Sequence, residues 1–116
     1  MLDAADSRAW TILEKATDEF VGLVSLAPHH DGSDVEVSYQ LLPRFWGRGL
    51  AVEAVAAAIG YDSAVMGLRR IVAETRASNH RSRRMIERLG MTEFATAHRF
   101  GERQIVYAHA SHLGRE

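Results

Sequence analysis

The nine residues PRFWGRGLA, positions 43 to 51, constrain the fold of this chain more than any other stretch. A proline closes what precedes it, Gly47 and Gly49 flank Arg48, and an alanine-rich segment of helical periodicity follows. Glycine within a helix costs about 1 kcal/mol relative to alanine, so two of them at a helix entrance need a reason. The first amides of a helix have no intrahelical acceptor, and the helix dipole favours negative charge there. Glycines at that point remove Cβ atoms and let phosphate oxygens reach the amides. A turn that merely contains two glycines is the plainer reading; an anion site is the sharper one.

The rest of the chain supplies the strands and helices around that turn. Trp10–Lys15 and Phe20–Leu26 read as two strands of a hairpin joined by the polar turn Ala16-Thr17-Asp18-Glu19. After the turn cluster PHHDGSD, Val35, Val37 and Tyr39 alternate with Glu36, Ser38 and Gln40, the period of a half-buried strand that Pro43 ends. From Gly49 to about Met66, Leu50, Ala54, Val55, Ala58 and Ile59 fall on one helical face, with Glu53 in the first turn where a carboxylate suits the dipole. Ile71–Ala77 reads as a strand, Ser78 or Asn79 as the cap of a second helix through Met85, Ile86 and Leu89, and Gly90 as its end. Met91–Ala97 and Gln104–Ala110 form a last strand pair across His98 to Arg103. The order β-β-β-α-β-α-β-β defines an α/β class with a mixed sheet, in one domain over residues 1–116, with residues 1–9 as a flexible lead-in.

Composition narrows the function classes. A chain of 116 residues with 47% apolar and 25% charged side chains can bury one core and not two. It has no cysteine, which removes disulfides, zinc–thiolate sites and cysteine nucleophiles. No apolar run would span a bilayer and MLDAADSRAW does not read as a signal peptide, so a cytoplasmic protein with no membrane partner is the simplest expectation. The net charge of −1 hides an asymmetry: residues 34–116 carry twelve arginines against nine acidic side chains. That suits an anionic partner, although a solvated arginine face has the same composition.

Two familiar phosphate motifs fail here. GxxxxGK[ST] needs a lysine in the loop, and the only lysine is Lys15 in the first hairpin. GxGxxG fails because Val52 stands at its last glycine. The segment Trp46-Gly47-Arg48-Gly49-Leu50-Ala51 instead resembles the acetyl-CoA signature [Q/R]-x-x-G-x-[G/A] of the GNAT N-acetyltransferases, matching at Gly49 and Ala51 and departing at Trp46. The longer string VSYQLLPRFWGRGLAVEAV is similar to the branch of ribosomal-protein N-terminal acetyltransferases. Ala77-Ser78-Asn79-His80-Arg81-Ser82 followed by Glu87-Arg88-Leu89-Gly90-Met91 resembles a second segment of that branch, so the motif region covers residues 35–90.

The resemblance implies a GNAT fold, acetyl-CoA as co-substrate, no metal, and direct acetyl transfer to a primary amine of a protein N-terminus or small molecule. It implies that the CoA pyrophosphate rests on the amides of Gly47, Arg48, Gly49, Leu50 and Ala51 next to Trp46, with Arg48 and Arg44 adding charge-assisted contacts. Backbone groups of Leu41 and Leu42 would pair with the pantetheine arm where two parallel strands part, and an amide there would bind the oxyanion. Asn79 would bond the pantetheine amides, or simply cap its helix. Glu36 would act as base through a water, with Glu74 the other carboxylate of interest; the bland reading of Glu36 is a solvent-facing strand residue. Many relatives use a tyrosine seven residues after the asparagine to protonate the thiolate, but Ile86 stands there. Ser82, three after Asn79, is what the resembling branch offers to hydrogen-bond the departing sulfur, against the plainer reading of an ordinary exposed helix serine.

Other conspicuous residues carry less weight. Adjacent imidazoles in a turn are expected to point apart, so His29-His30-Asp31 reads as a polar loop rather than a metal site. Arg81, Arg83, Arg84 and Arg88 read mainly as a solvated helix face, with some able to reach a CoA phosphate. No aromatics interleave that cluster, so a nucleic-acid partner is not expected. Trp10 and Phe100 read as packing residues. The resemblance also implies a strand and two helices ahead of Trp10 that form one wall of the acceptor site, so the fold reads as N-terminally shortened. A homodimer that completes the site, a fragment of a longer enzyme, and a non-catalytic acetyl-CoA-binding module are the three explanations.

Overall fold

The computed structural model describes residues 7–66 and 70–109. Strands β1 (Arg8–Leu13), β2 (Phe20–Pro28) and β3 (Val35–Leu41) lead through a 3-10 turn at Pro43–Phe45 into α1 (Leu50–Met66). Then follow β4 (Ile71–Arg76), α2 (His80–Arg88), β5 (Thr92–Arg99) and β6 (Glu102–Ala108). The six strands form one mixed sheet in the order β1-β2-β3-β4-β6-β5, in which β3 and β4 are parallel and the other neighbours antiparallel. Residues 1–6 and 110, part of the expected lead-in and of the expected last strand, lie outside the described residues. Arg8 and Ala9 belong to β1, so the first strand starts two residues earlier than expected.

Both helices pack on the same face of the sheet. Val35 and Val37 of β3 and Ile71 and Ala73 of β4 are buried with Val55, Ala58 and Ile59 of α1 and Ile86 of α2. The alternation of β3 and the three-and-four spacing of α1 are therefore read correctly from sequence. Alanines at the α1 contact let the helix lie close to the sheet. Trp10 also packs against this core, its ring edge-on to Tyr61 at 5.3 Å. Among the described residues no helix is long and apolar enough to cross a membrane.

Two local features were not foreseen. Gly22 in β2 meets the neighbouring strand so closely that a Cβ would fall 2.0 Å from the Gln40 carbonyl oxygen. And β5 and β6 pair through His98↔Arg103 and Arg99↔Glu102, so the expected loop is a two-residue turn at Phe100 and Gly101, with φ of 56° and 75°. Phe100, expected to pack, is 75% exposed at that turn.

Candidate active site

The sheet opens in its middle. β3 and β4 pair only at Val35↔Ile71 and Glu36↔Val72, and the buried Asp34 carboxylate holds Arg70 Nε at 2.6 Å where the two strands begin. Beyond Glu36 the strands part, leaving a cleft of about 870 Å³. The Val35 amide donates to Arg70 on the β4 side, whereas the Leu42 amide donates to Val21 on the β2 side. Alternation then turns the backbone groups of Val37, Tyr39 and Leu41 toward the gap. Leu42 is a correction: its amide is bonded to Val21, its carbonyl accepts from Phe45, and it does not line the cleft. Of the expected pair, only Leu41 has its backbone on the gap.

The glycine turn stands at one end of this cleft. Gly47 and Gly49 have φ of 78° and 76°, backbone that other residues adopt only at a cost, and both line the cleft. Beyond the adjoining residues, no atom of the described chain lies within 4 Å of a Cβ built at either, so the chain itself needs the left-handed backbone there and not the space. The Gly49 carbonyl accepts the first helical bond, from Glu53. The amides of Leu50, Ala51 and Val52, which also line the cleft, therefore have no acceptor within the helix.

The charge lining the cleft differs from the expectation. Arg48 pairs with Glu14 at 3.2 Å and Arg44 with Glu19 at 3.1 Å, both guanidinium groups lie over the Phe45 ring, and neither lines the cleft. Arg81, Arg84 and Arg88, on one face of α2, line it instead. Arg83 turns the other way, to Tyr107, Glu93 and the Ala77 carbonyl. The spacing of three and four in Arg81, Arg84 and Arg88 was the available signal, since it puts all three on one face.

Between the arginines and the strand gap, Asn79 Oδ1 accepts from the Ser82 amide at 3.1 Å, so the cap expected from sequence forms. Asn79 and Ser82 both line the cleft. Ser82 Oγ lies 3.0 Å from the phenol oxygen of Tyr39, a partner that sequence reasoning missed. Trp46 donates its indole hydrogen to the Leu41 carbonyl at 3.0 Å, and Arg81 lies 4.8 Å over its ring. The tryptophan that departs from the signature thus ties the glycine turn to the end of β3.

Glu36 and Glu74 stand on the sheet face away from the helices, as their alternation with Val35, Val37 and Ala73 requires. Glu74 lines the cleft and Glu36 does not. Burial, helped by the Glu74 charge, holds the Glu36 carboxyl above the usual range against the opposing pull of His29, His30 and Arg99. Burial would also raise Glu74, but hydrogen bonds from His29, His30 and Arg99 outweigh it and keep that carboxyl below the usual range. The histidines are a second correction. Their rings lie 3.9 Å apart and both Nε2 atoms converge on Glu74 Oε1, at 2.7 and 2.8 Å, rather than pointing apart. Burial works against a charged His29 ring, but Glu74, Glu36 and Asp31 prevail and raise its pKa.

A mixed sheet that parts beside a helix led by two glycines is an architecture shared with acetyltransferases. The acetyltransferase (GNAT) domain family profile matches residues 2–92, and the chain belongs to that family. It is 28% identical over 105 residues to the uncharacterized protein YkkB of Bacillus subtilis, covering 89% of this chain and 61% of that protein. It is 30% identical over 89 residues to FsC-acetyl coenzyme A-N(2)-transacetylase of Aspergillus fumigatus, covering 70% of this chain and 38% of that protein. The chain thus spans less than two thirds of either relative. Among solved structures, one from Bordetella pertussis assigned to the GNAT acetyltransferases superposes with a TM-score of 0.81 at 25% identity, over 92% of this chain and 68% of that one. The ribosomal-protein-S5-alanine acetyltransferase of Vibrio fischeri superposes with a TM-score of 0.77 at 20% identity, over 90% and 61%, a likeness of fold alone.

Proposed function

We propose that the protein is an acetyl-CoA-dependent N-acetyltransferase that moves an acetyl group to a primary amine, of a protein N-terminus or a small molecule, in a ternary complex. The observation that carries this reading is the cleft between β3 and β4, lined by the first residues of α1, whose amides have no acceptor within the helix, and by Arg81, Arg84 and Arg88. The Leu50, Ala51 and Val52 amides would bind the pyrophosphate, and the three arginines its remaining phosphate charge. Asn79, through its amide hydrogens, and the backbone of Leu41 would hold the pantetheine arm.

In the transfer step the amine nitrogen bonds the thioester carbon as the carbon–sulfur bond breaks. Glu36, through a water, takes the proton that the amine loses; its raised pKa supports that role better than the lowered pKa of Glu74. A backbone amide of β3 facing the gap binds the oxyanion. Ser82 donates to the departing sulfur and Tyr39 supports the serine.

An amine screen with acetyl-CoA, run beside thermal unfolding, tests the reading. At a hundred times its dissociation constant the cofactor should stabilise by about 2.7 kcal/mol, a rise in Tm of roughly 10 °C for a domain of this size. Gly49→Val should remain folded and lose that rise. Absence of the rise in the wild type would sink the cofactor reading. A rise without turnover on any amine or N-terminal peptide would favour the second reading, a non-catalytic acetyl-CoA-binding module. That alternative draws support from the packing of both described helices on the face away from Glu36 and Glu74. A homodimer that walls this face belongs to the proposal, and sedimentation showing only monomer would remove it.

A further inference from the structure

We propose that His29, His30 and Glu74 form a binding site for one divalent transition-metal cation of the zinc class, independent of the acetyl-transfer reading. His29 Nε2, His30 Nε2 and Glu74 Oε1 lie within 4.8 Å of one another. Two imidazoles and a carboxylate, with a further position open to water, are a donor set that Zn²⁺ uses.

Each partner around the three is arranged as a metal site needs. The His29 and Glu74 side chains are 3% and 4% exposed, so their donor atoms are held by packing. Arg99 Nη1 donates to Glu74 Oε2 at 3.1 Å, which leaves Oε1 for the cluster and offsets one unit of its charge. His29 Nδ1 faces two Asp31 atoms, the amide nitrogen at 3.3 Å, from which it accepts, and Oδ2 at 3.2 Å. Once the ring carries its hydrogen on Nδ1 it donates to that carboxylate, the contact that orients a metal-ligating imidazole. Asp31 is itself anchored, its Oδ1 accepting the amides of Ser33 and Asp34.

A carboxylate oxygen only accepts, so each Nε2 now facing Glu74 carries a hydrogen. Loading needs the lone pair of each Nε2: a neutral ring shifts its hydrogen from Nε2 to Nδ1, and a protonated ring releases one proton to solvent and keeps the hydrogen on Nδ1. Metal–ligand bonds of about 2.0–2.2 Å in a tetrahedron set ligand atoms roughly 3.3 Å apart, against 2.7 and 2.8 Å here. The third edge, between the two ring nitrogens, is at most 4.8 Å, and the His30 side chain, 39% exposed, can swing to adjust these separations and leave the fourth position to water.

The experiment is calorimetric titration of tag-free, chelator-stripped protein with ZnCl2, repeated with Co²⁺ to record its visible absorption. Wild type and the exposed control His98→Gln should each bind one ion per chain. His30→Gln, at an exposed position, and Glu74→Gln should lose binding by at least about tenfold, and Asp31→Asn by about tenfold, with circular dichroism confirming that each is folded. The bound Co²⁺ should show the strong absorption of a four-coordinate ion, lost in His30→Gln. No saturable binding, or binding that a folded His30→Gln retains at wild-type affinity, would overturn the proposal and leave the cluster a hydrogen-bonded ion pair.

Discussion

The phenol oxygen of Tyr39 lies 3.0 Å from Ser82 Oγ, so a strand residue and a helix residue 43 positions apart share one hydrogen bond on the cleft between β3 and β4. Ser82 is held from two sides, by this bond and by the bond of its amide to Asn79 Oδ1. A hydroxyl so fixed can point at a departing sulfur without first being ordered. The position seven after Asn79 is Ile86, whose side chain is buried and carries no proton to give.

With an acceptor found in the amine screen, Ser82→Ala should lower kcat by about 100-fold, the lower range for a positioned proton donor. Tyr39→Phe should lower it by roughly tenfold and leave the KM for acetyl-CoA little changed. Because the two hydroxyls act in series, the double variant should fall no further than Ser82→Ala alone. Additive losses in steady-state kinetics would remove Tyr39 from the thiolate step.

Stability should depend on pH through His29. Its folded pKa is raised above the ordinary 6.5, so the native state holds that proton more tightly than the unfolded chain does. The stabilisation is complete below 6.5 and fades as pH rises through the folded value. Glu74, depressed below 4.5, stabilises above 4.5 and loses that contribution as pH falls through its folded value. Glu36, raised above 4.5, works in the opposite sense in the acid range, so the alkaline side is the cleaner readout. Urea melts at pH 5.5 and 8.5 should show wild type losing more stability over that interval than His29→Gln. Equal slopes would show that the histidine carries no such linkage.

Gly22→Ala should be among the most damaging single changes outside the cleft. The new methyl carbon would stand 2.0 Å from the Gln40 oxygen and 2.9 Å from the Leu41 Cα, both backbone atoms that cannot rotate away. A loss of about 2–3 kcal/mol, in the range of overpacked cores, is expected in denaturant unfolding. A loss under about 0.5 kcal/mol would mean that β2 and β3 separate more easily than their register implies.

Much of this arrangement is legible in the residues. The alternation of Val35 and Val37 marks the buried face of β3, and the spacing of Val55, Ala58 and Ile59 marks the face of α1. Asn79 announces a helix start and does cap it. Arg48 was the misleading case. Its place between two glycines suggested a phosphate contact, but Glu14, distant in sequence, claims its guanidinium.

What the sequence by itself determined is the strand, glycine turn and helix that present free amides, together with the order of elements around them. Those follow from φ preferences, side-chain periodicity and capping, which act over a few residues. Only the tertiary structure decided which side chains come together: Tyr39 with Ser82, Arg81, Arg84 and Arg88 on the same cleft as the start of α1, and both histidines with Glu74, 44 and 45 positions away. Such meetings depend on where β3 and β4 stop pairing and on the close approach of β2 at Gly22. These are properties of packed strands and not of any one segment, so local patterns could supply the donors but not their partners.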